Sequence, residues 1–103
     1  MLQSFSRNPA INQEFSSRLS YPDPLKPSGI EFTLPEPSSV TLTIFDTEGH
    51  EVAKLIDNVR MQAGTHSVDF VSRGYAQGTY YYRLHVEVAG KQLIDTKRIV
   101  VGQ

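Results

Sequence analysis

The sequence contains no cysteine, so it holds neither a disulfide scaffold nor a thiolate metal site. It also has no apolar run that approaches the roughly 20 residues of a membrane-spanning helix. Its 10 basic and 11 acidic residues give a formal net charge of −1. This balance gives no electrostatic reason to expect nucleic acid or an anionic membrane as a partner.

What is present is a series of short segments in which apolar and polar residues alternate, the pattern of strands with one buried face. A chain of 103 residues is long enough for one domain with its own core. The pattern predicts six strands, or seven if part of the stretch before Gly29 also pairs. The six begin near Gly29, Val40, His50, Gly64, Thr79 and Leu93.

The least regular of these segments is residues 50–57, in which Val52 and Leu55 lie three apart. This spacing favours a bulged strand over a clean ladder and leaves a short helix open as the alternative. The turn before it, residues 46–49, ends in Gly49, which can adopt a positive φ. Residues 89–91 predict a tight hairpin between the last two strands.

The strand count and spacing predict an all-β fold, an immunoglobulin-like or fibronectin III-like β-sandwich of about seven antiparallel strands. Tyr80 follows Gly78 by two residues at the start of the penultimate strand, where a tyrosine corner would lie. Tyr82 would then occupy the position at which antibody domains place a disulfide cysteine. Packing would replace the covalent link.

The first 20 residues differ in composition from the rest, with five serines among scattered apolar residues. We expect residues 1–20 to be a linker or flexible segment and residues 21–103 to be the sandwich domain. The spacing of Ile11, Phe15 and Leu19 also fits one face of a short helix. Polar residues interrupt the apolar stretches here, so the segment does not resemble a signal peptide.

Few side chains suggest chemistry. The three histidines are His50, His66 and His85, and a metal site would need two or three of them to converge on one point with a carboxylate. His85 and Glu87 could share a ligand, but a solvated strand face explains them more simply. No serine lies in a strand-to-helix elbow, so we expect no enzyme, no metal and no cofactor.

The outward face of the longest strand is the best candidate for partner contact. Its residues are Tyr81, Arg83, His85 and Glu87, and an aromatic beside an arginine is enriched at interfaces. A second possibility is that a sugar stacks on Tyr80, Tyr81 and Tyr82. This alternative is weaker, because only Tyr81 points outward. The carboxylates of residues 46–57 suggest a calcium loop, but they lack the alternating spacing of an EF-hand, so we interpret this segment as a polar turn.

Six motifs in order carry a family resemblance. They are YPDPLKP, IEFTLPEP, VTLTIFDTEGHEV, AGTHSVDF, GTYYYRL and DTKRIVV, and together they cover about four-fifths of the chain. This order resembles the C-terminal sorting domains of type IX secretion substrates. That family is similar in turn to the immunoglobulin-like domain of flagellar hook-capping proteins.

The resemblance implies a non-catalytic sorting and anchoring module of an exported bacterial protein, secreted or at the cell surface through its parent protein. The partner would be the outer-membrane secretion machinery, which would recognise the closing segment with its Lys97 and Arg98 pair. A structural protein–protein interaction domain, similar to a hook-cap or extracellular scaffold domain, is the alternative. No transmembrane segment or nucleic acid is expected in either case.

Overall fold

The structure, a computed structural model, describes residues 15–20 and 28–102, which form seven strands. The expected proline-rich segment 21–27, Ile11 and the terminal Gln103 lie outside the described residues. In chain order the strands are β1 (Ser16–Ser20), β2 (Gly29–Leu34), β3 (Ser38–Asp46), β4 (Glu51–Met61), β5 (Gly64–Asp69), β6 (Gly78–Val88) and β7 (Lys91–Val101).

The strands form two antiparallel sheets, so the predicted β-sandwich is confirmed. One sheet has three strands in the order β1-β2-β5, and the other has four in the order β4-β3-β6-β7. Because β4 pairs with β3 and not with β5, the fourth strand belongs to the larger sheet. Constant-type immunoglobulin domains place it in the other sheet, so this arrangement is the fibronectin III-like variant of the architecture.

The seventh strand, which the sequence left open, is β1. It lies within residues 1–20, the segment expected to be a linker, and pairs along its whole length with β2. Phe15 and Leu19 are partly buried against the core. Residues 16–20 therefore form a strand and not the short helix that the spacing of Ile11, Phe15 and Leu19 also allowed.

The core lies between the two sheets and is built from the alternating apolar positions that the sequence indicated. On β6 every second residue from Tyr82 to Val88 is buried. The fully or almost fully buried apolar side chains are Ile30, Phe32, Leu34, Val40, Leu42, Ile44, Ile56, Phe70, Tyr82, Leu84, Val86, Val88, Ile99 and Val101. Their burial is the main favourable contribution to the free energy of folding.

Strand β4 is the irregular strand that residues 50–57 predicted. Its register with β3 shifts at three places along the pair. At one of them Asn58 has a positive φ of 53°, and its N–H donates to Thr41 Oγ1 at 3.1 Å. Bulges of this kind bend and twist an edge strand, which makes it a poor template for pairing with another chain.

The hairpin between β6 and β7 has a two-residue loop, since Val88 pairs directly with Lys91. Both loop residues have positive φ, 52° at Ala89 and 79° at Gly90, as a type I′ turn requires. Alanine is strained in this left-handed backbone conformation, whereas asparagine and glycine tolerate it.

We predict that Ala89→Asn raises the free energy of unfolding by about 1 kcal/mol, because asparagine tolerates the left-handed conformation that alanine resists. Urea denaturation of the two proteins measures the difference. The matched control is Gly90→Ala, which should lower stability by about 1 kcal/mol, since no atom lies near the added methyl group and only the backbone conformation opposes it. An Ala89→Asn protein no more stable than the original would contradict the turn assignment.

Candidate partner-binding face

The outward residues of β6 alternate with buried ones, as the sequence predicted. Arg83 and Glu87 are exposed, and Tyr81 and His85 are partly exposed. The four therefore share the outer face of the four-stranded sheet. They have β3 on one side and β7 on the other.

Cross-strand pairing brings two further side chains to this face. Tyr81 lies opposite Phe45 of β3 and opposite Arg98 of β7, so the three form one row across the sheet. Arg83 occupies the next row, between Thr43 and Thr96. Arg98 was predicted as a site residue, and Phe45 was missed, although its outward parity on β3 could have revealed it.

Arg83 packs on the missed aromatic ring. Its guanidinium carbon lies 4.7 Å from the centroid of the Phe45 ring, a cation–π contact that orients the planar guanidinium group over the sheet. Among the described residues, neither Arg83 nor Arg98 forms an ion pair. Both side chains are exposed. Two cationic groups are thus presented beside two aromatic rings.

The other half of the face is more polar and less basic. His85 Nε2 lies 3.1 Å from Gln92 Oε1, and Glu87 pairs across the strands with the same Gln92. Ile94, opposite His85, is 58% exposed. Within residues 15–20 and 28–102, no group of three potential metal ligands converges.

The two basic residues of the closing strand do not lie together. Arg98 belongs to the outer face, whereas Lys97 extends toward the three-stranded sheet. Its Nζ donates to the backbone oxygen of Ser17 at 2.8 Å and lies 3.7 Å from Asp95 Oδ2. Lys97 therefore ties β7 to β1. Local sequence patterns do not predict this contact, because Ser17 lies 80 residues before Lys97 in the chain.

A buried polar link joins the two sheets beside this contact. The hydroxyls of Tyr82 and Ser17 lie 2.7 Å apart, and Ser17 Oγ also donates to the carboxylate of Asp95. Tyr82 is fully buried and Ser17 is 7% exposed. The tyrosine predicted to replace a disulfide cysteine thus contributes both packing and a hydrogen bond.

The predicted tyrosine corner is confirmed. Tyr80 lies two residues before Tyr82, and its hydroxyl donates to the Ala76 backbone oxygen at 2.7 Å. Its ring makes an edge contact with Tyr75, which stacks on Phe70. Burial in this cluster raises the pKa of the Tyr75 hydroxyl. These contacts fix the loop that leads into β6.

The acidic turn between β3 and β4 is held by its first residue. Asp46 Oδ1 accepts the backbone N–H groups of Glu48 and His50, each at 2.9 Å. The hydrogen bond from the His50 N–H, together with that from Glu48, lowers the pKa of the Asp46 carboxyl. Its contribution to stability is therefore present above the ordinary pKa of 3.8 and is lost as the pH falls through the lowered value. The carboxylate thus has a structural use within the turn.

His66 packs against the neighbouring strand of the three-stranded sheet. Its ring stacks on Phe32 with centroids 5.5 Å apart, and its Nε2 lies 2.7 Å from the backbone oxygen of Gln62. The side chain is partly buried. These contacts account for it as part of the packing of β5 on β2.

A pocket of about 370 Å³ lies on the three-stranded sheet, away from the face described above. Arg18, Glu31 and Asp69 are among its lining residues. Arg18 and Glu31 already pair with each other at 2.6 Å.

No protein-family model, curated protein or solved structure that we compared with the chain matches it. Within residues 15–20 and 28–102 there is no helix long and apolar enough to cross a membrane. The family resemblance of the sequence motifs therefore remains a prediction.

We predict that Tyr82→Phe lowers the free energy of unfolding by about 1 kcal/mol, because it removes one buried hydrogen bond while keeping the ring in the core. Thermal and urea unfolding measure the change. The matched control is Tyr81→Phe on the outer face, which should change stability by less than about 0.5 kcal/mol. Equal decreases in the free energy of unfolding for the two substitutions would show that the hydrogen bond between Tyr82 and Ser17 adds nothing to stability.

Proposed function

We propose that this domain is a non-catalytic sorting and anchoring module of an exported bacterial protein, recognised by the type IX secretion machinery. The observation that carries the proposal is the ordered set of motifs; five of the six lie in the sandwich within residues 28–102, and YPDPLKP, residues 21–27, lies outside the described residues. The motif GTYYYRL spans the tyrosine corner and the start of β6, and DTKRIVV forms the second half of the closing strand β7. These motifs thus have structural roles as well as a resemblance.

The geometry of β7 limits what a partner could recognise. Ile99 and Val101 are buried in the core, whereas Arg98 and Val100 are exposed. Lys97 is half-exposed and already bonded to β1. A machinery that reads the folded domain would therefore contact the outward half of the closing strand.

A structural protein–protein interaction domain is the second candidate. The observation that favours it is the outer face with Tyr81, Arg83 and Arg98, which has the composition of an interface. Light scattering and a pull-down distinguish this role. A domain that stays monomeric up to millimolar concentration and captures no partner would contradict it.

We predict that a reporter fused ahead of the whole chain, behind a signal peptide, appears on the surface of a type IX-competent Bacteroidetes host. The fusion carries residues 1–103, because β1 lies before residue 21 and belongs to the sandwich. Protease accessibility of the reporter in intact cells measures its location. Periplasmic retention would contradict the sorting role.

Three comparisons sharpen the experiment. The same fusion in a host with an inactivated type IX translocon should stay in the periplasm. A fusion with Arg98→Glu and Val100→Asp changes only exposed groups of β7 and should be retained, whereas Arg18→Glu on the other sheet should still reach the surface.

A further inference from the structure

The strongest unexplained feature is a compact patch on the four-stranded sheet, the arginine–aromatic patch, which consists of Phe45, Tyr81, Arg83 and Arg98. Arg83 and Arg98 are diagonal neighbours in the register, because Tyr81 pairs with Arg98 and Arg83 pairs with Thr96. Diagonal positions on neighbouring strands lie roughly 7 to 8 Å apart. The two guanidinium groups can thus reach one extended segment together.

The charge of this patch is not neutralised within the described part of the chain. Arg83, Arg98 and the neighbouring Lys54, which pairs with Thr43, form no ion pair there. Glu51, opposite Phe45, is the carboxylate that shares these two rows. Three cations against one anion give the patch a positive excess, although the whole chain has a formal net charge of −1.

We propose that the arginine–aromatic patch binds an acidic segment of a partner protein, with Arg83 and Arg98 pairing to its carboxylates. Arginine donates two parallel N–H bonds to a carboxylate, and the stacking of Arg83 on Phe45 holds its guanidinium group in place for this geometry. Tyr81, which lies opposite Arg98 and two residues before Arg83 on β6, offers an amphipathic surface to the backbone of the segment. This rests on the proposed function, since it names the chemistry by which a partner recognises the domain.

Other occupants fit this patch less well. A symmetric contact between two copies would bring the same arginines close together, and the like charges would repel. A sugar would need an open aromatic platform, but the Phe45 ring is covered by Arg83, which leaves Tyr81 as the single open ring of the patch. Nucleic acid requires a wider basic surface than three cations within a net acidic chain.

Titration of the isotopically labelled full chain with a hexaglutamate peptide tests the proposal. At low ionic strength we expect saturable NMR shift changes at the amides of Phe45, Tyr81, Arg83 and Arg98. The double variant Arg83→Gln, Arg98→Gln should bind about tenfold more weakly, and added salt should weaken binding further. Hexalysine should cause no such changes.

The matched control is the double variant Arg60→Gln, Lys91→Gln, which removes the same charge from exposed positions outside the patch. It should bind hexaglutamate as the original protein does. Equal weakening by both double variants, shifts spread over all exposed cations, or no saturable binding would overturn the proposal. The titration involves no export, so its failure would contradict the binding of an acidic segment without contradicting the sorting role. Periplasmic retention of the reporter would contradict the sorting role without contradicting the binding.

Discussion

The two sheets meet at a buried hydrogen bond between Tyr82 and Ser17, which adds to the packing of the apolar core. A fully buried hydroxyl needs a partner, because leaving it unsatisfied costs about 1 to 3 kcal/mol. Ser17 meets this need from the opposite sheet, and Asp95 and Lys97 in turn bind Ser17. These hydrogen bonds therefore link β1 of the three-stranded sheet to β6 and β7, which already pair with each other along their whole length.

The inward position of Tyr82 also determines which side chains of β6 face outward. With Tyr82 directed into the core, the period of two along β6 places Tyr81 and Arg83 outward. A slip of one residue would bury Arg83 and expose Tyr82 and Leu84, at the cost of both the hydrogen bond and the core. The same register that stabilises the sandwich thus presents the arginine–aromatic patch.

The two edges of the four-stranded sheet differ. Strand β4 is bulged at three places, whereas β7 pairs with β6 without a register shift over 11 residues. A regular edge invites pairing with other chains, and charged side chains are a common protection. On β7 this protection comes from Lys91, Lys97 and Arg98, with β1 held beside Asp95 and Lys97. The edge is therefore less open to strand addition than its regularity suggests, and the sheet face is the more accessible surface.

Sequence patterns predicted what depends on local periodicity. They predicted β2, β3 and β6 with their buried faces, the bulged β4 and the tyrosine corner. They did not predict β1 as a complete strand, because five residues with three serines form a strand only through pairing with β2. They also missed the cation–π contact between Arg83 and Phe45, and they did not show that Lys97 and Arg98 point to opposite faces of the sheet. Both features depend on contacts between distant segments.

The division of β7 into inward and outward residues bears on how its recognition should be understood. Ile99 and Val101 supply core packing, and truncating a buried isoleucine costs roughly 2 to 5 kcal/mol. If a truncation of Ile99 or Val101 abolished sorting, unfolding of the domain would explain the result as well as loss of the residues that the partner recognises. Arg98 and Val100 carry no comparable packing role, because both are exposed. Only these outward positions, together with the neighbouring Arg83, can separate recognition by a partner from the stability of the domain.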